Sequence, residues 1–319
     1  MKALVTGGNG FVGQLLVKKL LNNGNSVRLL SRSTSPITID DVEIVIGDLT
    51  SDRDLSEIAI GCDVIFHCAG EIANQDKMFA LNVEGTRKLI DAVHKGYTFD
   101  RKPKHWVQLS SVGAYGPSVT PGAERIVDEL SDSKPVGTYE ITKTLADEMI
   151  MESVNNIGMT YTILRPSNIV GTSMSNQSFF GLLKAIEKRR FFYVGSKKTI
   201  STYIHVDDVV DALIICSVNK KACNQIFNLS NDCNLSEIVD SISHHSGFNH
   251  NFLCVPEKPL RIFVGALSGF FRLPLTKNRI DSLVSRTTYP CTKIKDMLGF
   301  SPKKSIPEFS IEYSRYLNG

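Results

Sequence analysis

Thr6-Gly7-Gly8-Asn9-Gly10-Phe11-Val12-Gly13 lies between an apolar burst at 2–5 and a segment carrying Leu15, Leu16, Leu20 and Leu21. Glycines at 7, 10 and 13 have G-x-x-G-x-x-G spacing in a strand-turn-helix setting. One glycine permits the tight turn, one lets backbone approach a pyrophosphate, and one lets helix and strand pack closely. The free N–H groups at the helix start, through Phe11 and Val12, and the partial positive charge there suit phosphate oxygens. Asn22-Asn23-Gly24 ends the helix, and a second strand follows at 26–30. Apolar bursts recur at 42–46, 64–68, 106–109 and 160–164, with helical patterns around 81–93 and 139–154. Strand and helix in alternation imply crossover units and a parallel sheet buried on both faces.

The expected fold is therefore α/β, a Rossmann-type doubly wound parallel sheet with a smaller C-terminal substrate-binding lobe. The pattern changes after Arg165-Pro166, where loops lengthen. Residues 1–165 are read as the dinucleotide-binding domain and 166–319 mainly as the substrate lobe. A segment near 203–220, with a helix at 207–217, is expected to return to the first lobe. The apolar stretch 260–271 reads either as a packed helix or as an interfacial membrane contact.

The chain has 319 residues, 42% of them apolar and 22% charged, which excludes wholesale disorder. Lys plus Arg number 36 and Asp plus Glu 33, too weak a balance to argue for nucleic acid or an acidic membrane surface. No apolar run reaches the roughly 18 residues of a membrane span. The N-terminus begins a patterned segment at once, with no signal peptide, so a cytoplasmic setting is expected. Seven cysteines with no C-x-x-C pair suggest reduced thiols and no zinc or other metal site.

The end of the second strand bears on cofactor choice. A carboxylate there binds the ribose 2′-hydroxyl and repels a 2′-phosphate. Here the residues are Leu30-Ser31-Arg32-Ser33. A guanidinium can pair with a phosphate and hydroxyls can add hydrogen bonds, which favours NADP(H), with NAD(H) as the alternative. A solvated surface arginine is the plainer reading of Arg32. Asp48, in Gly47-Asp48-Leu49, could set a carboxylate against the adenine amino group.

Tyr139 and Lys143 are four apart and so share one helix face. A phenol ionises near pH 10, and a nearby ammonium with a cationic nicotinamide ring is expected to bring it toward the working range. Upstream, a strand ends in Leu109-Ser110-Ser111, placing a hydroxyl where a substrate carbonyl could be held. Tyr289 and Lys293 have the same spacing, but Pro290 intervenes and the pair lies far from the glycine turn.

At this point the sequence resembles the extended short-chain dehydrogenase/reductase family, above all its nucleotide-sugar epimerase, dehydratase and ketoreductase members. The matching stretches are TGGNGFVG at 6–13, GDL at 47–49, VIFHCAG at 64–70, NVEGT at 82–86, SSVGAYG at 110–116, YEITK at 139–143, LRPSNIVG at 164–171 and YIHVDD at 203–208. The resemblance implies that Ser111 is the catalytic hydroxyl, Tyr139 the acid–base, and Lys143 its activator and a ribose ligand. It also implies that Leu49, Ala69, Gly70 and Asn82 line the cofactor and that Asn168 reaches the substrate's diphosphate. His67 and His205 match family positions too, but read better as packed histidines.

Two departures stand out. Many epimerases carry an acidic residue where this chain has Ser31-Arg32, and many carry an arginine where this chain has Ser201. Lys197 and Lys198 could supply the missing charge toward a nucleotide-sugar substrate, or form a solvated basic loop. The resemblance implies reduction of a 4-keto nucleotide sugar. The alternatives are nucleotide-sugar 4-epimerisation, reduction of a steroid- or flavonoid-like ketone, or non-catalytic NADP sensing. A 4,6-dehydratase fits poorly, because Val112-Gly113 stands where those enzymes have Asp-Glu. A homodimer is expected by resemblance alone.

Overall fold

Seven segments pair side by side, all parallel, in one sheet. They are β1 (Lys2–Thr6), β2 (Ser26–Ser31), β3 (Val42–Ile46), β4 (Val64–His67), β5 (His105–Leu109), β6 (Thr160–Pro166) and β7 (Gln225–Leu229). The spatial order is β7-β6-β5-β4-β1-β2-β3. The order reverses beside β1, so the crevice for a ligand opens at the carboxyl ends of β1 and β4. The computed structural model describes residues 1–33, 42–96, 103–174, 177–249, 251–267 and 275–318.

Successive side chains of a strand point to opposite faces, and both faces here are covered. Ala3 and Val5 of β1 pack with Leu16 and Leu20 of α1 (Phe11–Asn22) on one face. Leu4, Ile65 and Trp106 pack on the other face with Leu89 and Val93 of α2 (Gly85–Gly96) and Ile150 and Val154 of α3 (Thr138–Asn156). Double coverage is why these strands read as short continuous apolar runs. Each fully buried Leu or Phe contributes about 1.5–3 kcal/mol relative to leaving it exposed.

The chain then builds a second core. Helices Gln177–Glu187, Leu235–His245 and Ile306–Asn318 gather Phe179, Leu183, Leu235, Ile238, Phe309 and Tyr313. Phe179 stacks on Phe309 with ring centroids 6.0 Å apart. Phe11, the first residue of α1, packs against both cores.

Between these helices the chain returns twice to the sheet. First, α4 (Val206–Val218) and β7 add Val209, Leu213 and Phe227 to the first core. Later, Ile294 and Leu298 of the helix Thr292–Leu298, with Phe300, join the same core. Asp208 on α4 accepts the backbone N–H groups of Lys303 and Lys304 at 2.9 and 3.1 Å, fastening that second return.

Two details depart from the sequence reading, and a third bears on a segment it left open. The helical pattern at 81–93 begins as a wide π-type turn over Phe79–Glu84 and becomes α-helical only at Gly85. Such turns distort the hydrogen-bond ladder and mark functional sites. This one carries Asn82, which is buried. Strand β7 closes the sheet from 225–229, a stretch no periodicity singles out. The apolar stretch at 260–271 falls on the helix Glu257–Leu267, with Val264 buried and Ile262 and Phe263 exposed; residues 268–271 lie outside the described residues. Among the described residues no helix is long and apolar enough to cross a membrane.

Candidate active site

The glycine turn follows from sterics. Gly7 has φ +71°, and a Cβ there would lie 2.5 Å from the Ala69 nitrogen. At Gly13 a Cβ would lie 2.1 Å from the Gly7 carbonyl oxygen and 2.7 Å from the Gly8 Cα. The obstacles are backbone, so no side chain can yield. The Gly10 N–H donates to the Gly7 carbonyl at 2.9 Å and closes the turn. Gly10 is also the N-cap of α1 and offers no capping side chain. The first-turn N–H groups therefore remain available to phosphate, and the missing Cβ atoms leave the backbone approachable. Val12 is buried and the ring of Phe11 lies against Gly171, so what these two residues offer at the helix start is backbone.

At the end of β2, the buried Ser31 hydroxyl accepts from the Asn9 side-chain amide at 3.0 Å and donates to the Ser33 carbonyl at 2.7 Å. Arg32 is exposed. Asp48 accepts from the backbone N–H and hydroxyl of Thr50, both at 2.9 Å. That backbone bond first, then the charges of Arg32 and Lys88, hold its carboxyl below the usual range. Arg32 and Asp48 thus face one another's fields at this rim, while Leu49 is buried beneath it.

Behind the turn runs a chain of hydrogen bonds that the sequence reading did not find. Thr86 Oγ1 gives its proton to the Asn82 carbonyl at 2.7 Å, so it accepts from His67 Nε2 at 2.9 Å. His67 Nδ1 is then bare and accepts from Thr6 Oγ1 at 2.6 Å. Thr6 Oγ1 in turn accepts the Ala69 N–H at 3.3 Å. Burial first, and then the Lys143 charge, pushes His67 down to about 3. His67 is a neutral structural link, as the packed reading expects.

Asn82 is engaged on all sides. Its Oδ1 accepts the Glu71 N–H at 2.7 Å, and its Nδ2 donates to the Glu71 carbonyl at 3.1 Å and to Thr142 Oγ1 at 3.0 Å. It ties the loop after β4 to α3. Gly70 sits between them, with Asn82 Oδ1 and Lys143 Nζ 3.4 and 3.9 Å from where its Cβ would be.

Tyr139 and Lys143 occupy the first turns of α3, with Lys143 buried. Ser111 Oγ accepts the Gly113 N–H at 3.1 Å, which leaves its own proton for another acceptor. Tyr139 is the second residue of α3. Burial first, then the charges of Glu140 and Asp147, pushes its phenol up to about 12. Tyr139 therefore holds its proton at neutral pH, the form a general acid needs. Burial lowers Lys143, against the pull of Asp147 and Cys68.

A buried node lies one turn further along α3. Asp147 Oδ2 accepts from Ser110 Oγ at 2.7 Å and from Arg165 Nε and Nη2, both at 3.3 Å. Arg165 also lies over the Tyr115 ring, 4.9 Å from its centroid, and the Tyr115 hydroxyl donates to Asn228 at 2.8 Å. Removing one member of a buried ion pair costs about 3–5 kcal/mol.

Farther out, a cleft of about 460 Å³ is lined by Arg125, Lys198, Asn234, Arg286 and Glu124, among others. Lys198 is one of the two predicted lysines. The other, Lys197, packs over the Tyr193 ring at 5.4 Å. Arg125 and Arg286 escaped the sequence reading, since they come from separate strands, Glu124–Ile126 and Arg286–Thr288, that pair only in the fold. Asn168 is exposed, and its Nδ2 donates to the Thr202 carbonyl at 3.2 Å. Tyr289 and Lys293 share no helix: the Tyr289 N–H donates to Asp232 at 2.6 Å, and the Lys293 ammonium lies over Phe227. His205 caps α4 by accepting the Asp207 N–H at 3.2 Å. Among the described residues no group of three His, Cys, Asp or Glu could hold a metal.

The model of the NAD dependent epimerase/dehydratase family matches residues 3–230. A 3-beta-hydroxysteroid dehydrogenase of Mycolicibacterium neoaurum is 31% identical over 222 residues, which span 64% of this chain and 58% of that protein's length. A putative UDP-glucose 4-epimerase of Methanocaldococcus jannaschii is 29% identical over 77% of this chain and 82% of that protein. The structure of UDP-glucuronic acid 4-epimerase from Bacillus cereus in complex with NAD superposes with a TM-score of 0.74 at 19% identity, covering 99% of this chain and 97% of that one. At that identity the likeness is one of fold.

Proposed function

Because the chain belongs to the NAD-dependent epimerase/dehydratase family, we propose that it is an NADP(H)-dependent oxidoreductase that reduces the carbonyl of a 4-keto nucleotide sugar. The glycine turn, the uncapped start of α1 and the rim at Ser31 and Arg32 would hold the cofactor, with the Arg32 guanidinium on a 2′-phosphate. Bound there, the reduced nicotinamide supplies hydride. Tyr139 gives its proton to the carbonyl oxygen as the carbon becomes saturated. Ser111 donates a hydrogen bond to that oxygen and orients it. Lys143, buried and charged, stabilises the phenolate that Tyr139 leaves behind.

The observation that carries the nucleotide-sugar reading is the cleft holding Arg125, Lys198 and Arg286. These cations suit a diphosphate, and Lys198 with Arg286 stands in for the arginine that Ser201 replaces. Asn168 is assigned to the same substrate's diphosphate.

The test is loss of reduced-nicotinamide absorbance when purified protein meets NADPH and a 4-keto nucleotide sugar. One NADPH should be consumed per sugar reduced, and Arg32→Asp should turn the preference to NADH. Interconversion of two 4-epimers with no net cofactor change would replace this reading with epimerisation. The steroid dehydrogenase relative favours a second reading, reduction of a lipophilic cyclic ketone. Turnover of such ketones alone would select it.

A further inference from the structure

We propose that Asp147 is a positioning residue: its buried carboxylate sets the charge balance of the Lys143–Tyr139 pair from one turn behind it. This rests on the assignment of Tyr139 and Lys143 to proton transfer, but not on the identity of the substrate.

Asp147 is fully buried, and it joins three elements. Ser110, which holds its Oδ2, is the residue before Ser111 at the end of β5. Arg165, which holds the same oxygen, belongs to β6, the strand that leads to Asn168. Lys143 lies four residues earlier on α3 and so on the same helix face. Both hydrogen-bonding elements converge on Oδ2. Oδ1 is buried and has no hydrogen-bond partner among the described residues. A bare carboxylate oxygen in a desolvated place is costly unless positive charge faces it.

The charges balance only in one way. Arg165 offsets the Asp147 carboxylate, which leaves the Lys143 charge in excess for a Tyr139 phenolate. Of the other groups that face Lys143, the Cys68 thiol is pushed up to about 12 by burial and is neutral, and so is His67. Tyr139 also feels Glu140, which lies beside it and is unchanged in the variants below. Burial raises Asp147 itself, and Arg165, Ser110 and Lys143 act against that rise.

The reach follows from helix geometry. Tyr139 and Asp147 are eight residues apart, so about 12 Å along the axis at 1.5 Å per residue. At an effective dielectric near 20, one charge at that distance moves a neighbour by about one pKa unit.

The experiment reads Tyr139 directly. Protein labelled with carbon-13 at the tyrosine Cζ is titrated by NMR, with Tyr139→Phe used to assign the signal. Asp147→Asn should lower the Tyr139 midpoint by about one unit. Asp147→Glu, which restores the charge, should return it. An unchanged midpoint in folded Asp147→Asn would overturn the proposal. Should that variant not fold, the carboxyl carbon signal of Asp147 in the unmodified protein decides. An ionised signal at neutral pH supports the proposal and a protonated one overturns it. The titration needs no substrate, so a wrong nucleotide-sugar assignment leaves it untouched, while a wrong choice of Tyr139 shows as a residue indifferent to turnover.

Discussion

Replacing His67 with Gln should remove much of the acid sensitivity of the fold. His67 is pushed down to about 3 by burial, against 6.5 for an ordinary histidine. It therefore binds fewer protons folded than unfolded, and the linked stability is fully present above about pH 6.5 and lost as the pH falls toward 3. Between pH 7 and 5 the loss from this one ring is about 2 kcal/mol, out of a total near 5–15 kcal/mol for a typical domain. His105, pushed down to about 4 by burial, titrates in the same direction and adds a similar amount. Urea unfolding at pH 7 and pH 5 measures the difference. Trp106 is the one tryptophan of the chain, is fully buried, and lies edge-on to His67 at 5.5 Å, so its fluorescence reports the core directly. The Gln variant should be less stable at pH 7, having lost the links to Thr6 and Thr86. Its further loss on going to pH 5 should be smaller than that of the unmodified protein by about 2 kcal/mol. Equal losses in the two proteins would refute the reasoning, because a ring that titrates freely in the folded state gives no such linkage.

Two further outcomes follow from the site. Tyr139→Phe keeps the ring but removes the transferable proton, so turnover should fall by about 10²–10⁴ with the fold intact, while Tyr289→Phe should leave turnover nearly unchanged; steady-state rates on both variants check this. Gly13→Ala would place a Cβ 2.1 Å from the Gly7 carbonyl oxygen, so it should cost about 1–3 kcal/mol of stability and abolish cofactor binding, read by thermal unfolding and by cofactor fluorescence titration.

The sequence was most legible where one local pattern decides the structure. The glycine turn at 6–13 is fixed by contacts within the turn and with the next strand, so it reads from spacing alone. The strand at 64–67 is buried throughout and reads as an apolar run, and the half-buried edge strand at 42–46 still shows as an apolar burst. Tyr139 and Lys143 share a helix face by their spacing. What escaped is what depends on distant residues meeting. Ser110, Asp147 and Arg165 converge from β5, α3 and β6, and none carries a local signature. Arg125 and Arg286 meet only because two short strands pair across the fold. The upward push on the Tyr139 phenol has the same origin: the ammonium four residues away is visible in sequence, whereas burial and the charge of Asp147 are not. The side chain of Asn82 clamps Glu71 and Thr142, partners that its position in the sequence gives no means to foresee.

The second return of the chain to the sheet bears on how this protein can be cut. Ile294, Leu298 and Phe300 fill the same core as α1 and β1, and Asp208 grips the backbone at 303–304. The stretch that carries the glycine turn thus shares its core with residues near the other end of the sequence. A fragment ending near 230 would expose the apolar face that these residues seal, and an exchanged C-terminal region would have to bring its own plug for that face. The residues around β1 and α1 and those at 294–300, far apart in the chain, share one hydrophobic closure.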